Sequence, residues 1–176
     1  MKKILAILGL IGVGIAGRLI PHAPNATPIT AVTIAARKYV GRTWAFVIPL
    51  AAMVISDAVI GFYNWKIMLS VYSSFVFIAC ASKFAKRYGN PASLMLLAVV
   101  SSLIFFLVTN FTVWIFSPWY AKSISGLLYC YELGIPFLRN MLVGDVAYTA
   151  LLVGAFELAQ MRVPMLRTAT KAASVF

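Results

Sequence analysis

Charge is what this sequence has least of. Of its 176 residues only 11% are Asp, Glu, Lys or Arg, where a soluble domain carries roughly 25%. That shortfall excludes a soluble globule built around one core. With 62% hydrophobic residues and a mean hydropathy of +0.95, the chain reads as an integral membrane protein. Acids are scarcest of all: Asp57, Glu132, Asp145 and Glu157 stand against fifteen Lys and Arg, for a net charge of +11. A single histidine, His22, excludes the usual three-histidine metal centre, and no metal or other cofactor is expected. The G-x-x-x-x-G-K phosphate loop is missing, so the chain cannot hydrolyse ATP by itself. Ser117, Ser123 and Ser125 lack a G-x-S-x-G context, and two isolated aspartates are too few for divalent-ion phospholipid chemistry. An enzyme is not expected.

What is present is a series of long apolar runs, at 4–20, 44–61, 67–82, 92–116 and 137–160. A sixth segment, 28–40, opens on Pro28, a residue suited to a first helical turn, but reaches Arg37 and Lys38 early. The whole segment covers only about 20 Å of a hydrocarbon core near 30 Å, so it spans only if Arg37 and Lys38 snorkel or the bilayer thins. We therefore expect an all-α membrane bundle of six helices, the second short. Loops 21–27, 62–66 and 117–136 would lie outside, and residues 1–176 would form one membrane domain.

The basic excess follows from this topology. With both termini cytoplasmic, Lys2, Lys3, Arg37, Lys38, Arg42, Lys83, Lys86, Arg87, Arg162, Arg167 and Lys171 are inside, and only Arg18, Lys66, Lys122 and Arg139 are outside. Lys and Arg orient membrane helices in this way, so the charge requires no nucleic-acid partner. The expected location is the cell inner (plasma) membrane. A five-span alternative with an outer N-terminus divides the positives almost as well, and differs in the side on which 21–27 lies. The start of the chain also has a signal-peptide pattern; Arg18, just behind the small-residue triplet Gly14 to Ala16, favours retention. Cys80 and Cys130 are expected on opposite sides, too far apart for a disulfide.

Polar groups inside spans need a partner, water or a ligand. Here they recur in the outer half: Arg18, Asp57, Asn110, Asn140 and Asp145. Ser102, Phe106, Asn110 and Trp114 recur every fourth residue on one helical face, and Asp145 with Tyr148 is three apart. This common depth points to one polar cavity open to the outside. The alternative is that Asp57 and Asp145 pair with Arg18 or Arg139 for helix packing. The stiff PHAPNATP segment at 21–28 adds His22 and Asn25, and the 117–136 connection adds Glu132. Its length suggests a functional lid. Candidate substrate contacts are thus His22, Asn25, Asp57, Asn110, Trp114, Glu132, Arg139, Asp145 and Tyr148. Gly12 with Ala16, and Ala31 with Ala35, are small pairs four apart that permit close helix approach, either internally or to a partner.

Residues 24–61, PNATPITAVTIAARKYVGRTWAFVIPLAAMVISDAVIGF, combine a Pro-led short helix, a basic turn and a helix ending in Asp-x-x-x-Gly, followed by three more spans. This order, with NFTVW at 110–114 and GLLYCYELGIPF at 126–137, resembles the substrate-binding S components of energy-coupling factor vitamin transporters. The resemblance covers about 20–160. It implies a vitamin-sized ligand near the outer face and loops that close over it. It also implies a membrane coupling subunit docked on small residues of the first helix, matched by Gly12 and Ala16 with Ala31 and Ala35 as fallback, and two ATPase partners. A structural or assembly protein that binds another membrane protein through its outer loops is the competing expectation.

Overall fold

Six helices follow one another through residues 2–83 and 90–162, the part of the chain that this computed structural model describes, and no strand occurs among them. They are α1 (Lys2–Leu19), α2 (Ile29–Ala35, continued by a π-helical turn Ala36–Val40), α3 (Trp44–Ile60), α4 (Trp65–Ala81), α5 (Pro91–Phe116) and α6 (Ile124–Arg162). Lys86, Arg87, Arg167 and Lys171 lie outside the described residues. The helices run alternately up and down. Asn25 and Tyr63 line one cavity, so the 20–28 and 61–64 loops share the upper end; Arg42 and Lys83 line another at the lower end. Residues 21–27 therefore lie on the same side as 61–64, as the six-helix reading expects and the five-span reading does not.

The short helix owes its form to position rather than to a bilayer. Every residue from Ile29 to Ala36 is buried, because α2 is surrounded by α1, α3, α4, α5 and α6. A helix that meets protein on all sides has no hydrocarbon thickness to match. The same burial corrects one expectation: Ala31 and Ala35 face the interior and are open to no partner. Gly12 and Ala16 are on the exposed side of α1. Its other face needs glycine: a Cβ on Gly14 would stand 2.8 Å from Ala52 Cβ, and one on Gly17 would collide with the Pro28 ring. These two close approaches seat α1 against α3 and against the start of α2.

Polarity is distributed inside out. Thr30, Thr33, Ser56, Asp57, Ser74, Ser101, Ser102, Asp145 and Thr149 are buried, while Leu5, Leu8, Val54, Val59, Leu69, Phe77, Leu96, Leu107, Val143 and Leu151 are exposed. Most interior hydroxyls bond back to their own helix, as in Ser56 to Ala52 O, Ser74 to Ser70 O and Ser101 to Leu97 O. Back-bonding lets small polar residues pack between helices without a partner on the next one. Helices α5 and α6 are long and apolar enough to cross a membrane. The apolar α3 and α4, of 17 residues each, reach about 26 Å.

The largest departure from the sequence expectation is α6. A span over 137–160 after a long 117–136 loop is expected, yet the helix begins at Ile124 and runs for 39 residues through Pro136. Gly126, Gly134 and Pro136 read as breakers, but a proline inside a helix removes only one amide bond, and α5 supplies continuous packing across the gap. Tyr131 donates to Leu107 O at 2.9 Å, and a Cβ on Gly134 would lie 2.7 Å from Asn110 Oδ1, so glycine permits the contact. The true connection is 117–123, a fixed turn. Trp114 Nε1 donates to Ala121 O, and Lys122 Nζ donates to the Trp114 and Ser117 carbonyls at the α5 terminus. It is no lid. The 62–66 loop likewise shortens to 61–64, where Asn64 Oδ1 accepts from Lys66 N.

Gly14→Ala should lower the thermal midpoint of the detergent-solubilised protein by the equivalent of about 1–3 kcal/mol, the usual cost of overpacking. Gly12→Ala, with nothing within 4 Å of its new methyl group, should leave it unchanged or raise it. Equal effects would show that the α1–α3 approach is not the tight contact described.

Candidate ligand-binding cavity

Arg18 stands in the last turn of α1, where its guanidinium crosses to α3. One nitrogen donates to Asp57 Oδ1 at 2.6 Å and the other to Ser56 Oγ at 2.8 Å and Met53 O at 3.2 Å. Tyr72 of α4 donates to the second carboxylate oxygen at 2.7 Å. The Asp57 side chain is 1% exposed and that of Arg18 16%. Three of the five guanidinium N–H groups are thereby engaged. The rest can turn toward the space above.

That space is a cavity of about 150 Å³ lined by Arg18, Asn25, Thr27, Ile29, Met53, Tyr63, Val71, Phe75, Phe105 and Met141. The 20–28 loop forms one wall. Its turn places Asn25 at φ 65°, a left-handed conformation that asparagine tolerates because its side chain bonds locally. Its neighbour Ala26 seats on Gly144 of α6, where a Cβ would stand 3.1 Å from Ala26 Cα. Phe75 and Phe105, with ring centroids 5.3 Å apart, form the opposite wall. Burial raises the Tyr63 phenol above its ordinary value, nearby Asp57 adds to this and Arg18 opposes it, so Tyr63 is a neutral hydroxyl at neutral pH. The arrangement is an apolar chamber with a fixed cation whose own charge is already balanced by Asp57.

Of the nine residues expected to contact substrate, Asn25 lines the cavity and Asp57 lies behind it, bonded to Arg18. The others do not converge there. His22 is exposed and bonds to Ala23 O. Asn110 donates to Phe106 O within α5, and Trp114 is engaged in the 117–123 turn. Glu132 and Arg139 are exposed on the upper part of α6, and Tyr148 is half-buried outside the cavity lining. The physical reason is helix rotation. Phe105 and Met141 line the cavity, but Asn110, just over a turn beyond Phe105, bonds within its own helix and packs against Gly134 of α6, and Arg139, two residues from Met141, is exposed. Of these residues only Glu132 is displaced by the extension of α6 back to Ile124. Sequence reasoning missed the aromatic wall: Phe75 and Phe105 sit in wholly apolar stretches and carry no signal. Arg18 did carry one, as a lone cation near a helix end.

Asp145 has a different surrounding. It is 1% exposed, accepts a 2.6 Å bond from Ser102 Oγ of α5, and has the Thr30 hydroxyl of α2 beside it. Thr149, one turn along α6, is buried with its hydroxyl unbonded. Among the described residues Asp145 forms no salt bridge and accepts from Ser102, whereas Asp57 pairs with Arg18. Cys80 and Cys130 are both free, at opposite ends, as expected.

The two aspartates should thus respond oppositely to amidation. Asp57→Asn strands a half-buried guanidinium and should cost about 3 kcal/mol, read as a lowered unfolding midpoint in detergent. Asp145→Asn keeps an oxygen acceptor for Ser102 and should shift the midpoint by under about 1 kcal/mol. The reverse order would refute the pairing described.

No curated protein and no solved structure matches the chain. A family model matches residues 1–166 of the 176. On this match the chain belongs to a family of unknown function (DUF6580).

Proposed function

We propose that this protein is a multi-pass plasma-membrane subunit that binds a vitamin-like small molecule for an importer of the energy-coupling factor type. The observation that carries this reading is the Arg18 guanidinium, held by Asp57 and Ser56 and turned toward an aromatic-walled cavity at one end of the bundle. A cation anchored by its own counter-ion offers orienting hydrogen bonds without a net charge to desolvate. Apolar walls with a few fixed polar groups are the usual composition of small-molecule sites. The outward apolar faces of the helices support burial in lipid. Charge supports an outer upper end: Lys2, Lys3, Arg37, Lys38, Arg42, Lys83 and Arg162 fall at the lower end, against Arg18, Lys66, Lys122 and Arg139 toward the upper. Both termini are then cytoplasmic. Partners follow from what the chain lacks: with no nucleotide-binding loop, transport draws on ATPase subunits through a coupling membrane subunit. The exposed, unobstructed face at Gly12 and Ala16 suits such docking.

A second reading, assembly or scaffolding of another membrane protein, is favoured by the α5–α6 hairpin. Above the level of Ala26 it exposes Trp119, Ile124, Leu128 and Tyr129. Co-purification separates the two: coupling and ATPase subunits support transport, and a stoichiometric complex with a biosynthetic enzyme supports assembly.

Purified protein titrated with a panel of vitamins and small aromatic acids should show saturable binding, weakened about tenfold or more by Arg18→Gln through loss of charge-assisted hydrogen bonds. Absence of saturable binding across the panel would remove the transport reading. For topology, Pro24→Cys in a Cys80→Ser background should react with a membrane-impermeant maleimide added to intact cells; protection until lysis would reverse the orientation.

A further inference from the structure

A second cavity, of about 310 Å³, opens at the lower end between α2, α3 and α4 and is lined by Arg37, Arg42, Phe46, Ala79, Cys80 and Lys83. Three of its six lining residues are cations and none is an acid. The chain has only four Asp and Glu side chains, and none of them is among the lining residues. Asp57 bonds Arg18 and Tyr72, Asp145 is buried against Ser102, and Glu132 is on the upper part of α6. Glu157 is the one acid near this end, and it accepts from Lys38 Nζ at 2.9 Å and Tyr39 OH at 2.7 Å. Lys38 and Tyr39 follow Arg37 directly in the π-helical turn. Among the described residues no carboxylate lines the cavity, and the buried Arg37 Nε has no acceptor.

Backbone geometry at this point is also unusual. The turn Ala36–Val40 is π-helical and ends at Gly41 with φ 135°. A π turn inserts an extra residue and is frequent at functional sites. It sends Lys38 and Tyr39 toward α6, where Tyr39 stacks on Phe156 at 4.5 Å, and leaves Arg37 on the cavity side. Guanidinium groups match phosphate oxygens in paired hydrogen bonds. Basic pockets between membrane helices hold phospholipid head groups on the same principle.

We propose that this lower cavity is a binding site for a phosphate-bearing anion, with Arg37 and Arg42 as its ligands and Phe46 and Ala79 as its apolar wall. The phosphate can belong to an anionic phospholipid head group or be free in the cytoplasm. Cys80, exposed in the wall, reports occupancy.

The experiment follows the rate of N-ethylmaleimide labelling of Cys80 in the full chain, read by mass spectrometry. The chain is measured in phosphatidylcholine nanodiscs, in nanodiscs containing phosphatidylglycerol, and in phosphatidylcholine nanodiscs with added inorganic phosphate. Slower labelling in either anionic condition is expected. Protection by phosphatidylglycerol alone identifies the head group; protection by inorganic phosphate identifies the free anion. Arg42→Gln, a change at an exposed residue, should weaken the protecting anion about fivefold, the effect of one surface cation. Arg37→Gln/Arg42→Gln should abolish protection, and Lys3→Gln, outside the cavity, should leave it intact. Labelling that is equal in all three conditions, or protection that survives in Arg42→Gln at wild-type strength, would overturn the site.

Discussion

The ion pair between Arg18 and Asp57 is the interaction on which the upper half of the molecule depends. Two charges withdrawn from water cost several kcal/mol each unless they meet in good geometry with their remaining valences filled. Here the requirement recruits three helices. Arg18 comes from α1, Asp57, Ser56 and the Met53 carbonyl from α3, and Tyr72 from α4. Once those groups are in place, the ends of α1 and α3 and the first turns of α4 are fixed relative to one another. The cavity beside them is what remains between these polar groups, the 20–28 loop and the aromatic wall of α4 and α5.

Below that level, packing rests on small residues at the helix crossings. Many bulky aliphatic side chains face outward, and at the crossings of α1, α2 and α3 buried Ala, Gly, Ser and Thr pack beside Leu10, Ile29 and Ile48. Small residues let the backbones of these helices approach closely. Helix α2 is the extreme case, enclosed on every side. The few buried groups that do not bond back to their own helix, notably Asp145, Thr30 and Thr149, cluster around its upper half.

The two ends of the bundle carry opposite electrostatic solutions. At the upper end a cation is matched by an internal anion and the site is neutral. At the lower end three cations share a cavity with no protein carboxylate. This division arises from the composition itself: four acids cannot balance fifteen bases, and the two buried ones are needed within the bundle.

Helix number and helix order were legible in the sequence, because apolar run length depends only on local chain chemistry; the structure added which loops share an end of the bundle. The short second helix was legible from Pro28 and from Arg37 and Lys38. The pairing of Asp57 was open at that level, since Arg18 and Arg139 both offered partners at a similar count along their spans; proximity in three dimensions decided for Arg18. The extent of α6 was hidden, because Gly134 and Pro136 signal a break that α5 overrides by packing against it. That one element moved Glu132 from a loop onto a helix, while the rotation of α5 and α6 turned Asn110 and Arg139 away from the cavity. Phe75 and Phe105 could not be found from sequence at all, for an aromatic residue on an all-apolar helix has the same local chemistry whether it faces lipid, core or cavity. Sequence therefore determined what each segment is and which solvent it suits. Tertiary structure alone decided which side chains meet, because meeting depends on helix rotation and height, and these are set by glycine contacts and by a buried ion pair between residues distant along the chain.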